Sequence, residues 1–230
     1  MMNKNIVVVG ASRGIGKELV LNLAKNPNHT VFAIARFSNG ISQYADMPNV
    51  HAFSLDLGSS DVKSQITSLF SKIENVDVLI NNAGTLVNKP FMELTSADFQ
   101  ESYQVNVIGV METVQAFVPK MIENGGHIVN ISSIGGFQGS VKFPGLTAYS
   151  TSKAALVCFT EMFAEEYKDT TIKTNCLCLG SVQTEMLEEA FPGFKAPLSA
   201  EKMAEYIADF SLNAHQWMHG RIIPVSLTTP

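Results

Sequence analysis

The sequence predicts an α/β fold: about seven parallel strands in one doubly wound sheet, with helices on both faces. Three observations carry this. Apolar, strand-like runs recur at residues 5–9, 30–35, 50–55, 77–81, 126–131, 172–178 and 220–225. Segments of helical periodicity lie between most of them, the alternation that a parallel sheet produces. Two of the runs, Ile6 to Val9 and Val78 to Ile80, are apolar at every position, as strands covered on both faces require. The first run leads directly into Gly10-Ala-Ser-Arg-Gly-Ile-Gly16, a glycine-rich turn that opens a helix. Right-handed crossovers between such strands place ligands at their carboxyl ends.

Each element has its reason. In the turn, Gly10 permits a tight reversal, Gly14 lets the backbone approach an anion, and Gly16 lets the helix pack close to the strand. That geometry binds a phosphate at the helix start. The helix after Gly14 is predicted to run to about Lys25, short of Pro27. Residues 96–123 read as one long helix with kinks near Gly109 and Pro119. Thr147 is read as the cap of a helix over about 148–168. Residues 182–198, with Pro192, Gly193 and Pro197, are the least patterned and follow a strand end, where loops carry substrate contacts. The helix at about 200–212 has an apolar face of Met203, Ile207, Ala208 and Phe210 that reads as core. No repeat, low-complexity stretch or second domain is apparent, so residues 1–230 are expected to form a single nucleotide-binding domain.

Composition narrows the function. The chain is 46% apolar and 16% charged, against roughly a quarter charged in an average soluble protein, which predicts extensive burial and a subunit interface. A net charge of -5 without any Lys/Arg block argues against a nucleic-acid partner. Cys158, Cys176 and Cys178 make no disulfide framework and read as thiols in a reducing compartment. With neither a leader pattern nor an apolar run of membrane length, a cytoplasmic protein without a membrane partner is expected. His215 and His219 are four apart but have no third ligand at matching spacing, so no metal is expected.

Tyr149 and Lys153, also four apart, fall on one face at the start of a predicted helix. A free phenol has a pKa of about 10, and a neighbouring ammonium favours the phenolate. Tyr149 can then exchange a proton with a substrate oxygen. Ser132 and Ser133 end a strand, and a hydroxyl there can donate to a carbonyl oxygen as charge develops on it. Phe137, Phe143, Met186, Leu187, Phe191 and Phe194 are candidates for an apolar substrate pocket.

These ordered motifs resemble the short-chain dehydrogenase/reductase family, in its compact single-domain, Rossmann-type form, over nearly the whole chain. The resemblance rests on the glycine turn, Asn81-Asn-Ala-Gly84, Asn106 in Gln104-Val-Asn-Val-Ile-Gly, Ser133 in Asn130-Ile-Ser-Ser-Ile-Gly, and Tyr149-x-x-x-Lys153. It implies that Tyr149 is the acid/base and that Ser133, preferred to Ser132 for its Ile-Gly-Gly context, binds the substrate oxygen. Lys153 would bind the nicotinamide ribose and lower the tyrosine pKa, and Asn106 would hold a water linking Lys153 to solvent. Gly10, Ser12, Arg13, Gly14, Ile15 and Gly16 would cradle the cofactor. Asp56 and Leu57, ending the third strand, would contact adenine, Asn82, Ala83 and Gly84 would line the groove, and Gly180, Val182 and Thr184 would hold the carboxamide. The second strand ends in Ala35 and Arg36 rather than an acidic residue, and Arg13 adds a second cation. This favours a 2′-phosphate and hence NADP(H) over NAD(H).

The expected activity is an NADP(H)-dependent transfer of hydride to or from a carbonyl/alcohol carbon of a small, partly apolar substrate. The alternative is a nucleotide-binding regulatory protein that keeps the fold without turnover. The helices over about 96–123 and 148–168 resemble those through which the family forms a homodimer or homotetramer. The sequence departs from the family pattern at Val9 and Leu179, in a longer stretch between Ser133 and Tyr149, and in a short region after Thr184.

Overall fold

In the computed structural model, which describes residues 3–36 and 40–227, the chain begins with β1 (Lys4–Val9), α1 (Gly14–Leu23), β2 (His29–Ala35), β3 (Val50–Ser54), α2 (Val62–Leu69) and β4 (Val78–Asn81). It continues through α3 (Ser96–Tyr103), a π-helical turn (Gln104–Ile108), α4 (Gly109–Phe117), β5 (Gly126–Ser133), α5 (Thr147–Glu166) and β6 (Ile172–Leu179). The last elements are β7 (Val182–Gln183), α6 (Glu185–Ala190), β8 (Leu198–Ser199), α7 (Ala200–Asn213) and β9 (Arg221–Val225).

Seven strands form one parallel sheet in the order β3-β2-β1-β4-β5-β6-β9, and β7 pairs with β8 beside it. The fully apolar strands follow from the two covered faces. Successive side chains of a strand point to opposite sides, so Ile6 and Val8 join a core with α1 and α7, while Val7 and Val9 join one with α2, α4 and α5. All four are at most 2% exposed, and full burial of such a side chain contributes about 1.5–3 kcal/mol. The chain moves outward from β1 through β2 to β3, then returns to place β4 on the other side of β1. This reversal opens a crevice at the carboxyl ends of β1 and β4. Among the described residues no helix is long and apolar enough to cross a membrane.

All seven predicted strands are present. Three local readings need correction. The span 96–123 is two α-helices separated by the π turn, with a further 3₁₀ turn at Val118–Lys120 around Pro119. Thr147 is the first residue of α5 rather than its cap: the Ser150 N–H already donates to the carbonyl of Leu146 at 2.7 Å. Asp56 and Leu57 lie beyond β3, because Asp56 turns back to accept the N–H of Gly58 at 2.9 Å, an Asx turn. The stretch 182–198, thinly patterned in sequence, holds a short helix between two paired strands, and Thr184 caps it by accepting the Leu187 N–H at 3.3 Å.

Candidate active site

The carboxyl ends of the central strands open into a cleft of about 370 Å³. The glycine turn forms one wall. Gly10 has φ +88°, and a Cβ there would stand 2.6 Å from the backbone of Ala83; one on Gly16 would stand 1.9 Å from the Gly10 carbonyl oxygen. Neither position can carry a side chain. Asn82 Nδ2 donates to the same Gly10 oxygen at 3.0 Å, which ties the end of β4 to the turn. Arg13 is the N-cap residue of α1 and supplies no side-chain capping bond, so the first amides of that helix are available to an anion. A cradle of bare backbone at a helix start fits the phosphates of a dinucleotide.

Ser12, Arg13, Gly14, Ile15, Arg36, Asp56, Leu57, Asn82, Ala83 and Gly84 line this half of the cleft, facing Gly180, Val182 and Thr184. Gly16 stands outside the lining, against Gly10. Arg13 also makes a bidentate ion pair with Glu189 of α6, a partner 176 residues away that no local signal announces.

The other predicted residues converge where Gly84 lacks a side chain. A Cβ on Gly84 would lie 3.2 Å from Asn106 Oδ1 and 3.3 Å from Lys153 Nζ. Asn106 sits in the π turn, fully buried. Its Oδ1 accepts from the Thr85 N–H at 2.8 Å, and its Nδ2 donates to the Thr85 carbonyl at 3.0 Å and to Ser152 Oγ at 2.9 Å. It does not itself line the cleft. Lys153 Nζ donates to the Ile131 carbonyl at 2.8 Å, and burial pulls its pKa down to about 8, against an opposing influence of Cys176 and Cys178.

Tyr149 faces the cleft from the first turn of α5. Burial pushes its phenol above the ordinary value, and a hydrogen bond with the Ser133 side chain partly counters this. The sequence reading had Lys153 lowering this phenol. In the structure Lys153 is not among the groups that shift it, because desolvation dominates and the ammonium is held by Ile131. The two serines diverge. Ser132 Oγ donates to the Lys153 carbonyl at 2.9 Å, whereas Ser133 Oγ accepts the Gly135 N–H at 3.2 Å and meets Tyr149.

The remaining wall is apolar: Leu86, Phe143, Leu146, Met186, Leu187, Phe191 and Phe194. Phe137 is not part of it. Leu86 and Leu146 escaped the sequence reading, although each lies within three residues of a recognised motif position, Gly84 and Tyr149. His219 lies away from the cleft, accepting from Thr174 N at 3.2 Å and bonded to the Ala164 carbonyl at 2.9 Å.

A family model described as short chain dehydrogenase matches residues 4–193. Among curated proteins, the ketoacyl reductase HetN of Nostoc sp. is 33% identical over 189 residues, spanning 79% of this chain and 64% of that protein. The 3-oxoacyl-[acyl-carrier-protein] reductase FabG of Aquifex aeolicus is 27% identical over 243 residues, spanning 98% of this chain and 97% of its own. Among solved structures, ElxO with NADP bound superposes with a TM-score of 0.84 at 26% identity, covering 97% of each chain.

Proposed function

The chain belongs to the short-chain dehydrogenase family, and from that premise we propose an NADP(H)-dependent oxidoreductase that acts on a carbonyl/alcohol carbon of a small, partly apolar substrate. The observation that carries the proposal is the convergence of Tyr149, Ser133 and Lys153 beside a glycine-turn cradle in one cleft. The cofactor bound in that cradle supplies or accepts the hydride.

This chain's residues manage the proton and the charge. In reduction, Tyr149 donates its phenolic proton to the substrate oxygen, and its raised pKa keeps that proton in place at neutral pH. Ser133 donates a hydrogen bond to the same oxygen as negative charge grows on it. Lys153, with a pKa near 8, is largely an ammonium at neutral pH and lines the same cleft, where it would donate to the ribose of the cofactor. Asn106 fixes the Thr85 backbone beside it. Proton transfer of this kind contributes roughly 10²- to 10⁴-fold in rate.

NADP(H) is preferred because Ala35 removes the acidic residue that would repel a 2′-phosphate, while Arg13, Arg36 and Ser12 line that half of the cleft. The NADP-bound state of the similar ElxO structure agrees with this preference. The apolar wall selects an uncharged substrate. A homodimer or homotetramer built through α3, α4 and α5 and a cytoplasmic location belong to the same proposal; Ile108, 44% exposed, ends the π turn between α3 and α4, and Met162, 63% exposed, lies on α5.

Oxidation of NADPH on addition of carbonyl compounds, 3-oxoacyl thioesters among them, tests the assignment. Turnover that Tyr149→Phe abolishes while NADPH binding persists is the expected result. Tight NADPH binding with no carbonyl-dependent oxidation, and no effect of Tyr149→Phe, would make the chain a nucleotide-binding regulatory protein instead.

A further inference from the structure

The stretch from Thr184 to Pro197 leaves the body of the protein at β7 and rejoins it at β8, where Val182 pairs with Leu198 and Gln183 with Ser199. It forms a flap whose base is closed by this strand pair. Helix α6 within it presents Met186 and Leu187 to the cleft. Two side-chain ties hold the free side of the flap to the rest of the chain. Asn88 Nδ2 donates to the Ala190 carbonyl at 2.8 Å, and Arg13 forms its bidentate pair with Glu189. Glu185, one turn earlier on the same face of α6, brings its Oε2 within 3.4 Å of where a Cβ on Gly14 would be.

The geometry of the ion pair leaves room for a third party. Glu189 takes the two terminal nitrogens, Nη1 and Nη2, the latter at 3.0 Å. A guanidinium has five N–H donors in a fixed plane, so its Nε edge remains open to another acceptor. Arg13 lines the half of the cleft assigned above to the 2′-phosphate.

We infer that Glu189 is a positioning residue: through Arg13 it clasps the substrate flap onto the cofactor turn, so that a 2′-phosphate seated on Arg13 favours flap closure. The inference rests on the NADP(H) assignment. The side chains of the pair are 45% and 61% exposed, so the clasp is weak and readily reversed. A phosphate that immobilises Arg13 removes the freedom the arginine otherwise loses on pairing, and the flap then closes at less entropic cost. NAD(H) carries no 2′-phosphate and leaves the clasp unsupported.

Trypsin reads the flap directly, since Lys195 is exposed within it. The experiment follows cleavage after Lys195 by mass spectrometry, with saturating NADP⁺ or NAD⁺, in the parent protein and in Glu189→Gln. NADP⁺ is expected to slow the cut in the parent more than NAD⁺ does. In Glu189→Gln that protection should fall by about 1.5- to fivefold, the range of an exposed pair. The KM for the carbonyl substrate should rise with NADPH and hold with NADH, with kcat nearly unchanged. Full protection retained in Glu189→Gln would overturn the clasp, as would tighter NADP⁺ binding by that variant, which would make Glu189 a competitor of the phosphate. Failure of the cofactor assignment looks different: NADP⁺ would neither bind nor protect the parent protein, and the clasp would fall with it.

Discussion

Lys153 reaches from α5 to the end of β5, where its Nζ donates to the carbonyl of Ile131 at 2.8 Å. One hydrogen bond holds an ammonium in a buried position, and the protein bears the cost of desolvating it.

That cost makes a prediction of stability against function. The folded pKa of Lys153 is about 8 against an ordinary 10.5, so the penalty is present in full below pH 8 and disappears as pH rises from 8 to 10.5. Lys153→Met, close in volume, is expected to raise stability at pH 7 by about 1 kcal/mol after loss of the Ile131 bond. Its kcat/KM should drop by at least about 10²-fold. Paired urea titrations at pH 7 and pH 10 check it, and the variant's advantage should shrink at the higher pH.

The adjacent serines should separate activity from folding. Ser133→Ala is expected to lower kcat by roughly 10²-fold with little change in thermal midpoint. Ser132→Ala removes the 2.9 Å bond from its hydroxyl to the Lys153 carbonyl, which costs about 0.5–1.5 kcal/mol of stability. Its kcat should stay within a few-fold of the parent. Steady-state kinetics beside calorimetry on the two variants distinguishes the roles, and equal kinetic losses would contradict them.

His127 sits at the start of β5, bonded to the Ser211 carbonyl at 2.9 Å and to Asn175 Nδ2 at 2.9 Å, with the His215 ring 5.6 Å away. Burial lowers its pKa to about 4, the Ser211 bond works against this, and His215, Lys4 and His219 add to the lowering. The unfolded chain therefore binds the proton first, and stability falls as pH drops from about 6.5 through 4. The full contribution is about 3 kcal/mol. Urea midpoints measured between pH 7 and pH 4.5 should fall less steeply for His127→Gln than for the parent.

Cofactor choice should respond to Arg36. A charge-assisted bond to phosphate is worth about 1.5–3 kcal/mol, so Arg36→Asp is expected to lower the ratio of NADP to NAD efficiency by at least about tenfold. An unchanged ratio of kcat/KM values would refute the assignment.

Much of this was legible in the sequence where a single requirement acts locally. Ile6 to Val9 is apolar throughout because both faces of its strand are buried, and Gly10 and Gly16 are glycines because backbone stands where a Cβ would go. Legibility ends where a helix-start bond shifts by one residue or where tertiary placement decides. Thr147 carries a capping side chain, yet the bond from Ser150 to Leu146 starts the helix one residue sooner. The spacing of Tyr149 and Lys153 was plain, but the sign of the phenol's shift depended on burial, which spacing does not encode. Arg13 read as a phosphate ligand, and its pairing with Glu189 is a matter of tertiary placement alone.

The pairing of Val182 with Leu198 has an evolutionary corollary. Because the intervening chain departs and returns at neighbouring points, adding residues near Gly193, where an added Cβ would meet nothing within 4 Å, costs little beyond the slow growth of loop entropy, about 0.6 kcal/mol per doubling of length. The dinucleotide half of the cleft is assembled from segments scattered between Gly10 and Gly180 and has no such freedom. Descendants of this chain can therefore acquire new substrates by indels in one short insert while inheriting their redox partner unchanged.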